Sequence, residues 1–269
     1  MRSQVLRARP LEPGYNGITR IGEPGYDTGI SFGILRLRAG ERFERELARE
    51  TAVLLLHGAI SGSVGGIPFS AARSSLFDET PTALHAAAGA KLTISAAGEA
   101  ELALFEVANQ RPFSPLVFDR RNMAELERRG KGQLRDAAFR LVRTIFDLRN
   151  RPDTALVLGE VVTLPGRWSS YPPHHHPQPE IYHYRFDRPS GFGFCELGEE
   201  AARLRHGDTL KIAPGADHAQ VSAPGYAMYY LWVIRHLDGD PYRTPEFTEA
   251  HRRLLAPGVE VWHPKEDEA

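Results

Sequence analysis

A single cysteine in 269 residues leaves no internal disulfide to hold the fold together. Cys195 lies in the apolar run GFGFCEL, where a buried, inert thiol is the expected state. No stretch approaches the roughly 18 uninterrupted apolar residues of a membrane span. The opening MRSQVLRARPLEPGYNG also lacks the apolar centre of a signal peptide, so a cytoplasmic chain that does not enter a membrane is the expectation. Positive charge is not in excess: 33 Lys and Arg stand against 34 Asp and Glu, which argues against a nucleic-acid partner. Low-complexity segments are missing too, and only the tail KEDEA reads as disordered. What remains is the composition of an ordinary globular protein, 42% hydrophobic and 25% charged, long enough for one large sandwich or two packed modules.

The chain repeats itself. AAGAKLTISAAGEAELALFEV, from Ala87 to Val107, aligns with APGADHAQVSAPGYAMYYLWV, from Ala213 to Val233. Gly89 and Gly215 are 126 residues apart, and the same interval joins Gly40 to Gly166 and Gly65 to Gly191. A match recurring at several turns points to two copies of one β module. Runs such as TAVLLLHGAI, ALVLGEVVTL and AMYYLWVI are rich in β-branched and aromatic residues and are punctuated by Gly and Pro. An all-β fold of antiparallel sandwiches or barrels follows. A connecting helix or irregular crossover is expected between the copies, and a second helix near the C-terminus. LRDAAFRLVRTIFDLRN sets Leu134, Ala138, Leu141, Val142, Ile145 and Phe146 at helical intervals. In the other, Thr244 caps, Pro245 fits the first turn, and EFTEAHRRLL runs until Pro257 and Gly258 stop it.

The chemistry gathers in WSSYPPHHHPQPEIYHYRF, Trp168 to Phe186. Strand side chains alternate, so His174 and His176 share a face and His175 takes the other. Glu180 opens the next strand, and HGDTLKIAPGADH brings His218 to the corresponding edge of the same module. Three neutral imidazoles and a carboxylate from separate strands form a normal ligand set for one divalent transition metal. Solvated loop histidines are the plainer alternative, against which the repeat supplies a control. Carried back by 126, the four positions hold Ala48, Glu50, Leu54 and, around Gly89, Leu92. The first copy keeps the turns and lacks the ligands. His57 and His85 have no partners at metal spacing and read as structural.

The segments GRWSSYPPHHHPQPEIYHYRFDRPSG and GDTLKIAPGADH resemble the two-part cupin signature, in which an H-x-H pair, a Glu and a later His bind one metal. More narrowly, GEVVTLPGRWSSYPPH, EIYHYRF and APGYAMYYLWV are similar to the 5-deoxy-glucuronate isomerase family of inositol catabolism, itself related to the 4-deoxy-5-keto-uronate isomerases. The resemblance implies a bicupin, two tandem jelly-roll β-barrels with short connecting helices. The expected division is an N-terminal barrel without metal ligands over 1–120, a connecting segment over 121–152, a metal-binding barrel over 153–240, and a helix and tail over 241–269. Three departures stand out: PQP replaces a longer acidic insertion, GADH replaces a Gly-Tyr-His turn, and the pattern after YYLWVI is lost.

The implied reaction is metal-dependent aldose-ketose isomerisation of a small sugar acid, 5-deoxy-glucuronate first. His174, His176, Glu180 and His218 would hold the metal. The family favours zinc, with manganese next. An isomerase also needs a base, for which Tyr182 shares the parity of Glu180, while Tyr229 and Tyr230 are candidates of unsettled parity. His183 falls on the opposite face. A uronate carboxylate calls for a cation, and the candidates are Arg185 beside the metal strand, Arg143, which aligns with a recurrent family arginine, and Lys211. A non-catalytic sugar-binding or regulatory cupin is the alternative of a different class; an iron dioxygenase has only the ligand cage in its favour. Sandwiches of this kind pair through exposed sheet edges, so any oligomer is expected to be a homodimer.

Overall fold

The computed structural model describes residues 4–264, and the KEDEA tail lies outside the described residues. The chain forms two β-sandwich modules joined face to face. In the second, a seven-stranded sheet runs in the order Gln4–Leu6, Thr209–Ile212, Glu180–Phe186, Met228–Arg235, Leu156–Thr163, Arg140–Phe146, Glu127–Arg129. Opposite it lies a five-stranded sheet of Glu200–Arg205, Phe192–Leu197, His218–Ser222, Trp168–His175 and Glu246–Phe247. The first module repeats this plan with Ile30–Leu37, Ala100–Val107, Ala83–Ala86 and the long strand Glu50–Val64, which crosses from one sheet to the other. The modules trade material. Gln4–Leu6 pairs with Thr209–Ile212 of the second module, so the beginning of the chain belongs to the far sheet.

Alternation along the seven-stranded sheet sends its two faces to different places. Tyr182, Tyr184, Phe186, Leu210, Met228 and Tyr230 point into the second sandwich. Ile181, Tyr229, Leu231 and Val233 point out, against Ile30, Phe32, Ile34 and Phe105 of the first module, which makes the seam a continuous apolar core. The first sandwich is filled by aliphatic side chains such as Leu35, Leu47, Leu55, Leu92 and Leu102. The second holds Tyr182, Tyr184 and Tyr230 where its twin holds Val53, Leu55 and Leu102. One glycine is required by close packing: a Cβ at Gly159 would lie 2.5 Å from the ring of Trp232, its cross-strand partner.

Neither expected helix forms as read. Arg140–Phe146 is a strand, preceded by a single 3-10 turn at Leu134–Asp136. Both of its faces are covered, one by the sandwich interior and one by the first module, which erases the polar-apolar alternation that marks a strand. Near the C-terminus, Glu246–Phe247 pairs with His174–His175, and the helix begins only at Glu249, with Thr248 rather than Thr244 at the N-cap position and its hydroxyl given to Pro173 O instead of the helix. It is a 3-10 helix over Glu249–Leu255 and ends before Pro257.

Candidate metal centre

The register of the two modules corrects the comparison of repeats. Trp168 pairs with Val221 as Arg42 pairs with Ser95, each at the 126 interval. Between Ser169 and His174 the register shifts, and the strand takes up three additional residues. Beyond the bulge the interval is therefore 129. His174 pairs with His218 as Arg45 pairs with Leu92. The carbonyl of His176 accepts from the Gly215 amide as that of Leu47 accepts from Gly89. Glu180 pairs with Ile212 as Thr51 pairs with Ala86. The counterparts of His174, His176 and Glu180 are thus Arg45, Leu47 and Thr51, not Ala48, Glu50 and Leu54; Leu92 holds its place opposite His218. The first module has no metal ligand at any of the four positions.

In the second module, ligand atoms of His176, Glu180 and His218 lie within 4.8 Å of one another, and all three residues are buried. His176 Nε2 is 3.1 Å from Glu180 Oε2, and His218 Nε2 is 3.5 Å from the same oxygen. His174 is outside this trio of converging atoms but faces it, its ring centroid 4.5 Å from that of His218. Each imidazole is oriented from behind by a backbone carbonyl. Nδ1 of His176 donates to Gln178 O at 2.8 Å, that of His218 to Ala216 O at 3.0 Å, and that of His174 to Pro172 O at 3.3 Å. With Nδ1 carrying the proton, Nε2 of each ring presents its lone pair, the arrangement in which imidazoles ligate metals.

Burial, followed by the neighbouring His218 and His176, pushes the pKa of His174 well below the ordinary histidine value. Burial also lowers that of His218, against the opposing pull of Glu180. Neutral rings are what a metal needs. His218 Nε2 is buried and has no hydrogen-bond partner, a costly condition that a bound cation would relieve. The donor set fits a divalent metal of borderline softness.

Tyr182 and Tyr230 line the space beside the ligands. Both phenols reach the Ser170 hydroxyl, at 3.3 and 3.2 Å, and the Tyr182 ring lies 5.9 Å from that of His218. Burial first, and then the charge of Glu180, raises the pKa of Tyr182; burial likewise raises that of Tyr230. Each phenol therefore keeps its proton near neutrality and is placed to donate rather than to act as a base. The C-terminal segment closes over the ligands. Tyr242 sits 4.9 Å from the His176 ring and Phe247 5.8 Å from that of His174. Neither carried a signal in the sequence, because Tyr242 lies in an irregular segment and Phe247 in a run whose spacing reads as helix.

The other expected site residues point away. Tyr229, Arg143, Arg185 and Lys211 all face the first module. Tyr229 OH donates to Glu160 at 2.6 Å, and Arg143 bonds Leu76 O, Phe77 O and Glu160. Arg185 contacts Glu101 and His183 and lines a cleft of about 680 Å³ at the seam. The strand of Lys211 is paired with Gln4–Leu6, and the Lys211 ammonium group pairs with Glu23 at 2.8 Å. The parity that sets His183 aside excludes Arg185 as well. His85 is structural, held between Glu50 and Arg151, and burial pushes the Cys195 thiol up to about 12.

A sequence model of the KduI/IolB family matches residues 8–254. The chain belongs to the KduI/IolB family. Its relatives include a 5-deoxy-glucuronate isomerase of Shouchella clausii, 29% identical over 76% of this chain and 80% of that protein. An IolB-like protein from Salmonella typhimurium LT2 superposes with a TM-score of 0.80 at 21% identity, covering 95% of this chain and all of the other. A cupin 2 conserved barrel domain protein from Leptotrichia buccalis gives 0.52 at 10% identity, over 87% of this chain and 97% of its own. The two sandwiches of this KduI/IolB protein are accordingly cupins in tandem, as the sequence resemblance implied. Among the described residues, no helix is long and apolar enough to cross a membrane.

Proposed function

We propose that this protein is a metal-dependent aldose-ketose isomerase acting on a deoxy-uronate sugar acid, 5-deoxy-glucuronate first, in inositol catabolism. The observation that carries the reading is the buried convergence of His176, Glu180 and His218 beside two protonated phenols, in a chain whose family relatives are named for that isomerisation. His174 is proposed as the fourth ligand and zinc as the metal, with manganese next. A divalent ion held there would polarise the carbonyl and the neighbouring hydroxyl without redox change. The side chains around it stabilise charge and exclude water. Tyr182 and Tyr230, bridged by the Ser170 hydroxyl, donate hydrogen bonds toward the oxygens on which charge develops as the proton moves between adjacent carbons. Tyr242 and Phe247 help keep bulk water from the reacting carbons.

The test is turnover of 5-deoxy-glucuronate by the zinc-loaded protein, followed by the change in carbonyl position. Conversion supports the reading, and binding of the sugar acid without conversion would instead indicate a sugar-binding cupin. Tyrosine variants separate the two faces of the sheet. Tyr182→Phe and Tyr230→Phe are each expected to lower kcat by about 10²- to 10³-fold, the usual cost of one oxyanion donor. Tyr229→Phe, across the sheet, is expected to leave kcat within about threefold of wild type. Equal losses in all three would contradict the assignment.

A further inference from the structure

Arg140 was part of no expected site, yet its surroundings are unlike those of the other buried cations. Arg73 and Arg143 share Glu160, Arg185 contacts Glu101, and Lys211 contacts Glu23. Arg140 is only 7% exposed and has no carboxylate within ion-pair distance among the described residues. Its guanidinium donates to two backbone carbonyls, Ala138 O at 2.8 Å and Tyr171 O at 3.2 Å. A guanidinium carries five donors, so those two bonds leave capacity for a forked contact. A buried, uncompensated charge is expensive, and its persistence points to an anion that completes it.

Register places Arg140 inside the metal-binding sandwich. It shares the inward parity of Val142 and pairs with Thr163, which in turn pairs with Met228. Its Tyr171 contact lies three residues before His174 on the ligand strand. In the same sandwich, further polar atoms are buried without partners: Thr163 Oγ1 on the cross-strand neighbour of Arg140, Tyr184 OH, and both side-chain heteroatoms of Gln220. Along their strands Tyr184 and Gln220 lie past Glu180 and His218, with Tyr182 between Glu180 and Tyr184.

Resting on the isomerase reading, we propose that Arg140 anchors the carboxylate of the sugar acid at the end of the substrate remote from the metal, with Gln220 and Thr163 bonding the hydroxyls between. The charge of Arg140 already reaches the interior, since Tyr230 and Tyr182 are among the groups that influence its pKa, which burial lowers to about 10.

The test compares binding of D-glucuronate and of uncharged D-glucose to the zinc-loaded protein by titration calorimetry, together with the kinetics of 5-deoxy-glucuronate. The wild type is expected to prefer glucuronate by at least about tenfold, the lower bound for a charged hydrogen bond. Arg140→Gln should abolish that preference and raise KM by about 10- to 100-fold, with kcat changed less than about threefold and zinc content unchanged. Retention of the preference within about twofold would overturn the proposal and leave Arg140 as a brace for the Tyr171 turn. So would a wild type with no preference. Should Arg140→Gln not fold, Arg140→Lys decides, because it keeps the charge and loses the fork. A fivefold or greater loss of glucuronate affinity, with glucose affinity intact, supports the anchor, and no loss overturns it. A wild type that shows the Arg140-dependent preference but no turnover sinks the isomerase reading alone; turnover with an indifferent Arg140 variant sinks the anchor alone.

Discussion

His218→Leu is expected to fold normally, to lose its bound metal, and to isomerise 5-deoxy-glucuronate at least about a thousandfold more slowly than wild type. The two modules make leucine the informative replacement. Leu92 occupies the equivalent place in the first sandwich, fully buried among aliphatic neighbours, so the architecture accepts that side chain there. Removing the imidazole also removes an unpartnered buried nitrogen, at the cost of the hydrogen bond that its Nδ1 gives to the half-buried Ala216 carbonyl. The loss should therefore be chemical rather than structural. A Lewis acid contributes several kcal/mol to stabilising developing charge, and each 1.36 kcal/mol is a factor of ten in rate. Circular dichroism and unfolding midpoint check the fold, elemental analysis checks the metal, and steady-state kinetics checks the rate. Activity within tenfold of wild type would place the chemistry elsewhere.

Glu160→Gln should do the reverse, unfolding the protein more readily without touching the ligands. Glu160 is fully buried at the seam and is shared by three donors. Arg73 grips it at 2.6 and 2.9 Å, Tyr229 OH donates at 2.6 Å, and Arg143 approaches at 3.4 Å. Neutralising it leaves two buried guanidinium groups without their counter-charge, and burial is the main force against keeping Arg73 charged. Breaking such a group costs about 3 to 5 kcal/mol. Because Arg73 comes from the first module and the rest from the second, the loss falls on the seam. Urea titration should show a midpoint shift of that size with metal content unchanged. A shift below about 1 kcal/mol would mean that the Glu160 cluster contributes little to holding the modules together.

How much of this was legible beforehand depended on which faces of each strand are covered. The cluster of His176, Glu180 and His218 was readable because a His-x-His pair on a strand shares a face regardless of register, and Glu180 and His218 each open a strand-like run. Tyr182 followed from parity with Glu180. Lys211 and Arg143 were misplaced because their direction depends on which strands lie alongside, and pairing between distant segments is not written in local periodicity. Arg185 could have been excluded from its own strand, since it alternates with His183. Arg140 was hidden by the helical reading of its segment. With both faces of Arg140–Phe146 covered, the strand carries no period of two, and its apolar positions matched a helix equally well. The three-residue bulge before His174 likewise shifted the comparison of repeats, since an insertion within a strand preserves the flanking turns while displacing everything after it.

The most direct measurement is metal stoichiometry by elemental analysis on protein purified without a histidine tag, for the wild type and the His176→Ala, His218→Leu double variant. A divalent metal bound at this site gives about one equivalent per chain in the wild type and none in the folded double variant. No metal in the wild type after incubation with zinc or manganese, or one equivalent retained by the double variant, would contradict such a site.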